Sequence, residues 1–418
     1  MVDVPEYIQT RCCIAGGGPA GMMLGLLLAR AGVAVVVLEK HADFLRDFRG
    51  DTIHPSTLEI MRELGFLDEF LKLPHQKAGQ LSVFVENTAF PVADFTRLST
   101  YCKFLAFMPQ WDFLTFVADQ AKRYPGFDLR LEAEVTGLLE EEGRVAGVRA
   151  TTPEGEWVIR AELTIGADGR DSTVREQAGL AVDHLGAPMD VLWMRLSRKE
   201  SDPDRPLARF IRGGIFVMIY REAYWQCGYV IPKGGYDHIR QRGLESFREE
   251  LVNIAPSLTD RVSELQHWGD IKLLTVAVNR LRHWYRPGLL CIGDAAHAMS
   301  PVGGVGINLA IQDAVAAANI LAQPLAQGRL TTADLRRVQQ RRLLPTRLTQ
   351  RAQLLIQNRL ISRVLSSDQP LSPPWLLRLM RYVPMLRGIP ARLIGLGFRP
   401  EHVKTPESLP EKSAKGLT

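Results

Sequence analysis

The opening forty residues constrain this chain more than any other stretch. Arg11 to Ala15 forms a short apolar run, and Gly16-Gly17-Gly18-Pro19-Ala20-Gly21 follows at once, with Gly16, Gly18 and Gly21 spelling GxGxxG. Each glycine has a physical task. Gly16 permits a tight turn, Gly18 lets a pyrophosphate approach the backbone, and Gly21 lets helix and strand pack closely. The pattern predicts a helix from about Pro19 to Ala31, capped at its C-terminus by Gly32 in the left-handed conformation. The free amides and dipole at its start favour an anion. The β-branched run Val33 to Leu38 reads as a strand buried on both faces, and it ends in Glu39, followed by Lys40. A carboxylate there accepts hydrogen bonds from ribose hydroxyls and repels a 2′-phosphate. Strand, glycines, helix, strand and terminal Glu39 together predict a dinucleotide-binding unit.

That reading also disposes of an alternative. Ile14 to Leu38 is 25 residues long with Arg30 as its single charge, so hydropathy alone suggests a membrane span. The glycines make it a strand, a helix and a strand buried in protein. The rest of the chain is ordinary for a soluble protein: 418 residues, 46% apolar and 23% charged, long enough for two interlocked domains. Five cysteines form no metal or CxxC pattern, which suggests free thiols in a reducing, cytoplasmic setting. Met1 to Thr10 contains Asp3 and Glu6 and has no apolar core, unlike a signal peptide.

Two later segments repeat the logic of a strand that ends in a carboxylate. Leu163 to Gly166 leads into Ala167-Asp168-Gly169, with a helix expected from Ser172 to Gln177. Asp-Gly alone is a common turn. Leu289 to Ile292 leads into Gly293-Asp294-Ala295-Ala296-His297, where a carboxylate can accept from polyol hydroxyls. Then comes Pro301-Val302-Gly303-Gly304-Val305-Gly306-Ile307-Asn308, a glycine-rich loop entering an alanine-rich helix expected from about Asn308 to Leu321. Its free amides suit the electron-rich edge of a flavin ring.

GxGxxG, Asp-Gly and Gly-Asp in this order resemble the group A flavoprotein monooxygenases of the para-hydroxybenzoate hydroxylase type, over roughly Arg11 to Leu321. The resemblance implies an α/β fold: a Rossmann-like FAD-binding domain (1–75, 109–180 and 276–330) interleaved with a mixed β-sheet substrate domain (76–108 and 181–275). A C-terminal helical segment and polar tail (331–418) would follow. It implies that Gly16, Gly18, Pro19, Ala20 and Gly21 hold the FAD pyrophosphate, Glu39 and Lys40 the adenosine end, and Asp294 the ribityl chain or pyrophosphate. Asp168 and Gly169 would lie where FAD and a transient NADH or NADPH are both engaged. Pro301, Gly303, Gly304, Val305, Gly306, Ile307 and Asn308 would line the isoalloxazine ring. Arg49 and Gln110 would also touch FAD. No second GxGxxG is present for a separate nicotinamide domain.

The activity implied is hydroxylation of an electron-rich aromatic or quinol-like substrate with NAD(P)H and O2, through a flavin C4a-hydroperoxide. A flavin-dependent reductase or halogenase, or a flavoprotein without turnover, shares the fold. Halogenases carry Trp-x-Trp-x-Ile-Pro, whereas here Trp225 stands seven residues before Pro232 with no second Trp. The region between the second and third motifs reads as sheet, including a hairpin of Ile215 to Tyr220 with Tyr224 to Ile231. Leu81 to Val85 and Phe90 to Val92 should join it as a roof that keeps the site dry. Trp193, Phe216, Met218, Tyr220, Trp225 and His54 are the pocket candidates, with His54 or Tyr220 conceivable as a base. No residue has the surroundings of a catalytic nucleophile. No metal or nucleic-acid partner is expected.

The net charge of +5 is concentrated at the end of the chain, with 16 Lys/Arg against 5 Asp/Glu between Leu330 and Thr418. Thr331 to Ser366 reads as a basic helix. Trp375 to Phe398 mixes arginines with Leu, Ile and Met, and Pro384 and Pro390 interrupt it. Its apolar face would rest on its own catalytic body, on a partner subunit, or peripherally on a membrane. Arg399 to Thr418 is polar and expected to fray.

Overall fold

The computed structural model describes residues 6–45, 52–203, 206–221, 223–367 and 369–408. It is a mixed α/β structure organised around two large sheets. In the first, Glu6–Ala15 lies parallel to Val35–Leu38 on one side and to Gly155–Gly166 on the other. Phe127–Arg130 extends it in parallel beyond Val35–Leu38, and Leu289–Cys291 does so beyond Gly155–Gly166. Gly16, Glu39, Asp168 and Asp294 thus follow four parallel strands and emerge at the same end of the sheet. In open α/β sheets that end forms the ligand crevice. An antiparallel flap, Arg144–Thr152 with Glu134–Glu141, and an antiparallel edge strand, Tyr285–Arg286, complete the sheet.

The helix Pro19–Arg30 is buried along almost its whole length. It packs against the helices Val305–Ala326 and Gln110–Ala121. On its other side Gly25 lets the helix lie close to the sheet, because a Cβ there would come within 2.9 Å of Val37 Cγ2. The apolar stretch Ile14 to Leu38 is therefore strand, helix and strand within protein. Among the described residues, only Val302–Ala326 is long and apolar enough to cross a membrane, and 72% of its apolar window is buried.

The second sheet runs in the order Lys272–Leu274, Met189–Ser197, Tyr224–Pro232, Gly214–Tyr220, Leu207–Ile211, Gln80–Val85, Thr88–Asp94. The hairpin is present in the register Ile215 to Val230 and Tyr220 to Trp225. Side chains alternate between faces along each strand. Phe216, Met218, Trp225, Cys227 and Tyr229 point to one face, against Phe247, Leu251 and Ile254 of a covering helix. The opposite face looks toward the first sheet.

The C-terminal region forms the helix Thr332–Ile356, a π-helical turn Gln357–Ile361 and a short helix Ser362–Leu365. Two further helices, Trp375–Tyr382 and Gly388–Gly395, flank a tight turn at Pro384–Arg387. The segment 399–408 differs from the expected fraying. Glu401 and Thr405 are buried, Arg30 Nη1 donates to the Thr405 carbonyl at 2.8 Å, and Tyr124 Oη donates to Glu407 at 2.8 Å. Polar residues hold an irregular segment in place here because their partners are fixed in the packed body of the protein, a relation a local reading does not detect. All five cysteines are buried free thiols.

Candidate active site

Between the two sheets lies a cavity of roughly 770 Å³. From the first sheet it is lined by Gly16, Gly18, Pro19, Ala20, Glu39, Lys40, Asp168, Gly169 and Asp294. Gln110 at the start of its helix, and Pro301, Gly303, Gly304, Gly306 and Ile307 of the glycine loop, also line it. Segments up to 290 residues apart in sequence therefore converge, and Gly16, Glu39, Asp168 and Asp294 do so because each leaves the same end of one sheet.

The glycines explain how the cradle is shaped. Gly16 has φ +105°, and a Cβ there would lie 2.4 Å from the Ala167 carbonyl oxygen. Gly21 faces protein, since its Cβ would meet the Gly16 carbonyl oxygen at 2.0 Å. Gly18 is different: its Cβ would meet nothing within 4 Å. It opens onto the cavity at the start of a helix that has no side-chain cap, so the helix amides remain available to an anion. Glu39 Oε2 accepts from the Gly17 amide at 3.0 Å and Oε1 from the His41 amide at 3.1 Å, which fixes the carboxylate at the cavity wall.

At the second motif, Asp168 Oδ1 accepts from Ser172 Oγ at 2.5 Å and Oδ2 from the Val174 amide at 3.0 Å. The carboxylate clamps the start of the helix Thr173–Gln177 while bordering the cavity. Burial pushes its carboxyl above the ordinary range, and the hydrogen bonds of Ser172 and Val174 oppose that rise. At the third motif, the Gly303 and Gly304 backbones are left-handed, φ +78° and +60°, and the helix Val305–Ala326 begins without a side-chain cap. These features suit FAD: free helix amides for its phosphates, Glu39 for its ribose, Asp294 near its middle, and an open glycine loop for its ring.

Several expected residues lie elsewhere. Val305 and Asn308 do not line the cavity. Asn308 Oδ1 accepts from the His54 amide at 2.9 Å and Thr57 Oγ1 at 2.8 Å, and Nδ2 donates to the Thr52 carbonyl at 2.9 Å. It braces the glycine loop from behind. Arg49 lies outside the described residues.

On the substrate side Trp193 lines the cavity, but Phe216, Met218, Tyr220 and Trp225 do not. They sit on the helix-covered face, and their neighbours Ile215, Val217 and Ile219 face the cavity instead. The one-residue alternation of a strand decides this, and both faces are apolar, so composition could not choose. His54 is buried outside the cavity and donates from Nδ1 to the Ile394 carbonyl at 2.7 Å. Burial lowers its pKa to about 4. Neither His54 nor Tyr220 is placed to act as a base.

The sequence reading missed Ile356, Leu360 and Ile361 around the π-helical turn, and Ile394, all of which line the cavity. It also missed Asp313 and Arg342, both fully buried beneath the Gly293-Asp294 turn. A lone Asp inside an alanine-rich helix was the available signal.

The family model described as "FAD binding domain" matches residues 9–352. A 6-methylpretetramide 4-monooxygenase from Streptomyces rimosus is 33% identical over 91% of this chain and 92% of its own length. A rifampicin monooxygenase from Streptomyces venezuelae is 29% identical over 72% of this chain, which spans only 61% of that protein. Among solved structures, the anhydrotetracycline hydroxylase OxyS from Streptomyces rimosus superposes with a TM-score of 0.73 at 24% identity, covering 94% of this chain and 77% of its own. The chain belongs to the FAD-binding-domain family and is an FAD-dependent monooxygenase.

Proposed function

We propose that this chain hydroxylates a large, apolar, electron-rich aromatic ring, a phenol or quinol within a polycyclic frame, using NADH or NADPH and O2. One observation carries the reading. The titratable side chains that line the cavity, such as Glu39, Lys40, Asp168 and Asp294, all belong to the first sheet and its loops. Among the described residues, the second sheet and the C-terminal segment give the cavity no titratable side chain. Their contribution is Leu81, Val83, Val191, Trp193, Phe210, Val217, Ile219, Leu360 and similar groups.

Bound FAD would supply the reduction of oxygen and its transfer to the ring, with the Gly18 helix start, Glu39, Asp294 and the Gly303–Gly306 loop as its holders. The remaining task of the protein is position and dryness. An apolar wall excludes water from the reacting face. With no protein base on that wall, the substrate must carry its own activating hydroxyl, and shape sets the choice of ring. The substrates named in the relatives, 6-methylpretetramide and rifampicin, support a large occupant.

The test is a panel of aromatic compounds graded by size, scored for stimulated NAD(P)H oxidation and for products that gain one oxygen. Stimulation and oxygenation should favour polycyclic phenols. Turnover confined to small, polar, single-ring phenols would refute the proposal.

A further inference from the structure

The helices Trp375–Tyr382 and Gly388–Gly395, with the turn Pro384–Arg387 between them, form a lobe packed on the edge strand Thr88–Asp94 of the second sheet. Its inner side is ordinary core: Met380, Ala391 and Gly395 are buried, and Ile394 reaches the cavity. Its outer side is apolar as well. Trp375, Tyr382 and Met385 are 74%, 80% and 75% exposed, Ile389 is 59% exposed, and Leu376, Leu379, Val383 and Leu393 surround them. Exposed apolar side chains concentrated on one short lobe mark an interaction site.

Charge indicates the partner. Between Gln369 and Pro400 there are five arginines and neither Asp nor Glu. Arg387 is used internally, donating to the Met380 and Arg381 carbonyls at 2.8 and 3.0 Å. Arg378, Arg381 and Arg392 are exposed on the same lobe, and Arg399 is exposed just beyond it. A second copy docking through the same face would bring these cations against one another, since a two-fold interface pairs a patch with itself. An anionic surface neutralises them.

We propose that this lobe docks on an anionic lipid surface, with Trp375, Tyr382, Met385 and Ile389 entering the boundary between headgroups and acyl chains and the arginines meeting lipid phosphates. Amphipathic aromatics combined with basic residues fit that boundary. Ile394 belongs to the docked helix and lines the cavity, so docking brings the apolar cavity beside the phase in which an apolar ring dissolves.

The experiment is flotation of the full-length FAD-loaded protein with vesicles of phosphatidylcholine, alone or mixed with phosphatidylglycerol. Binding should appear only with the mixed vesicles and fall with added salt. Trp375→Ser with Met385→Ser should abolish it. Arg378→Glu with Arg392→Glu should weaken it by about 25-fold or more, from about five-fold per lost arginine. Both double variants should keep the flavin spectrum and the NAD(P)H oxidation of the parent with a water-soluble substrate. The proposal is overturned by no flotation at low ionic strength, or by flotation that both double variants retain. A dimer in light scattering that Trp375→Ser with Met385→Ser dissociates would also overturn it, by assigning the face to a second copy.

Discussion

Arg342 donates from Nε to Oδ1 of Asp313 at 2.8 Å, with both side chains fully buried. The other oxygen, Oδ2, accepts from the Gly293 amide at 3.2 Å and faces His297 Nε2 at 2.5 Å. One carboxylate thus joins the glycine-loop helix, the basic C-terminal helix and the turn that carries Asp294. Arg342 Nη1 also donates to Glu401 at 3.2 Å and to the Arg399 carbonyl at 3.1 Å, which ties in the end of the described chain.

Removing one member of such a pair leaves a buried charge uncompensated. Arg342→Met should therefore destabilise the protein by about 3–5 kcal/mol, and FAD should bind more weakly because the Gly293 amide loses a fixed acceptor. Urea titration and flavin fluorescence measure the two effects. Burial alone would raise the Asp313 carboxyl, but His297 and Arg342 hold it below the ordinary range. Its contribution to stability is therefore full above the unfolded value of about 4, and it vanishes as pH falls through the lower folded value. Arg342→Met should flatten that acid limb. An unchanged acid limb would contradict the assignment.

His54 predicts a loss of stability in the same direction, at milder pH. Its pKa falls from an ordinary 6.5 to about 4 because burial disfavours the imidazolium. The unfolded chain takes up the proton first, so stability is full above 6.5 and declines as pH drops toward 4. The loss totals about 3 kcal/mol across that window. His54→Asn keeps a donor for the Ile394 carbonyl and removes the titration. Stability curves of parent and variant should diverge between these pH values, and parallel curves would exclude His54 as the cause.

Gly18 and Gly21, three residues apart, separate binding from folding. Gly18→Ala adds a methyl where nothing lies within 4 Å, and its backbone (φ −75°, ψ −177°) suits any residue. Apoprotein stability should stay within about 0.5 kcal/mol, while FAD affinity falls about tenfold or more as the methyl meets the pyrophosphate. Gly21→Ala places its Cβ 2.0 Å from the Gly16 carbonyl oxygen. It should destabilise the apoprotein by about 1–3 kcal/mol or more through overpacking. Thermal melts of the two apoproteins, with FAD titrations, give the comparison.

The two faces of one strand make a further test. Val217→Phe projects into the cavity, so it should shift kcat/KM between large and small substrates by about tenfold or more with little change in stability. Phe216→Ala opens a hole on the other face, in the layer shared with Phe247 and Leu251. It should cost about 3–5 kcal/mol and leave substrate preference alone. The reverse pattern would mean that the faces are exchanged.

The sequence by itself determined the cofactor-binding end of this protein. GxGxxG, Glu39, Asp168-Gly169 and Gly293-Asp294 are local signals, since a tight turn, a helix start and a carboxylate at a strand end are each properties of a few consecutive residues. Parallel pairing then brings them together, because strands sharing a direction share an end. Tertiary structure alone decided what lies across from them. Phe216 and Val217 are adjacent and both apolar, and only the helix packed behind the sheet makes one a core residue and the other a cavity wall. Leu360, Ile394 and the Asp313–Arg342 pair depend likewise on partners dozens to hundreds of residues away. No pattern of neighbours in sequence records a contact of that range.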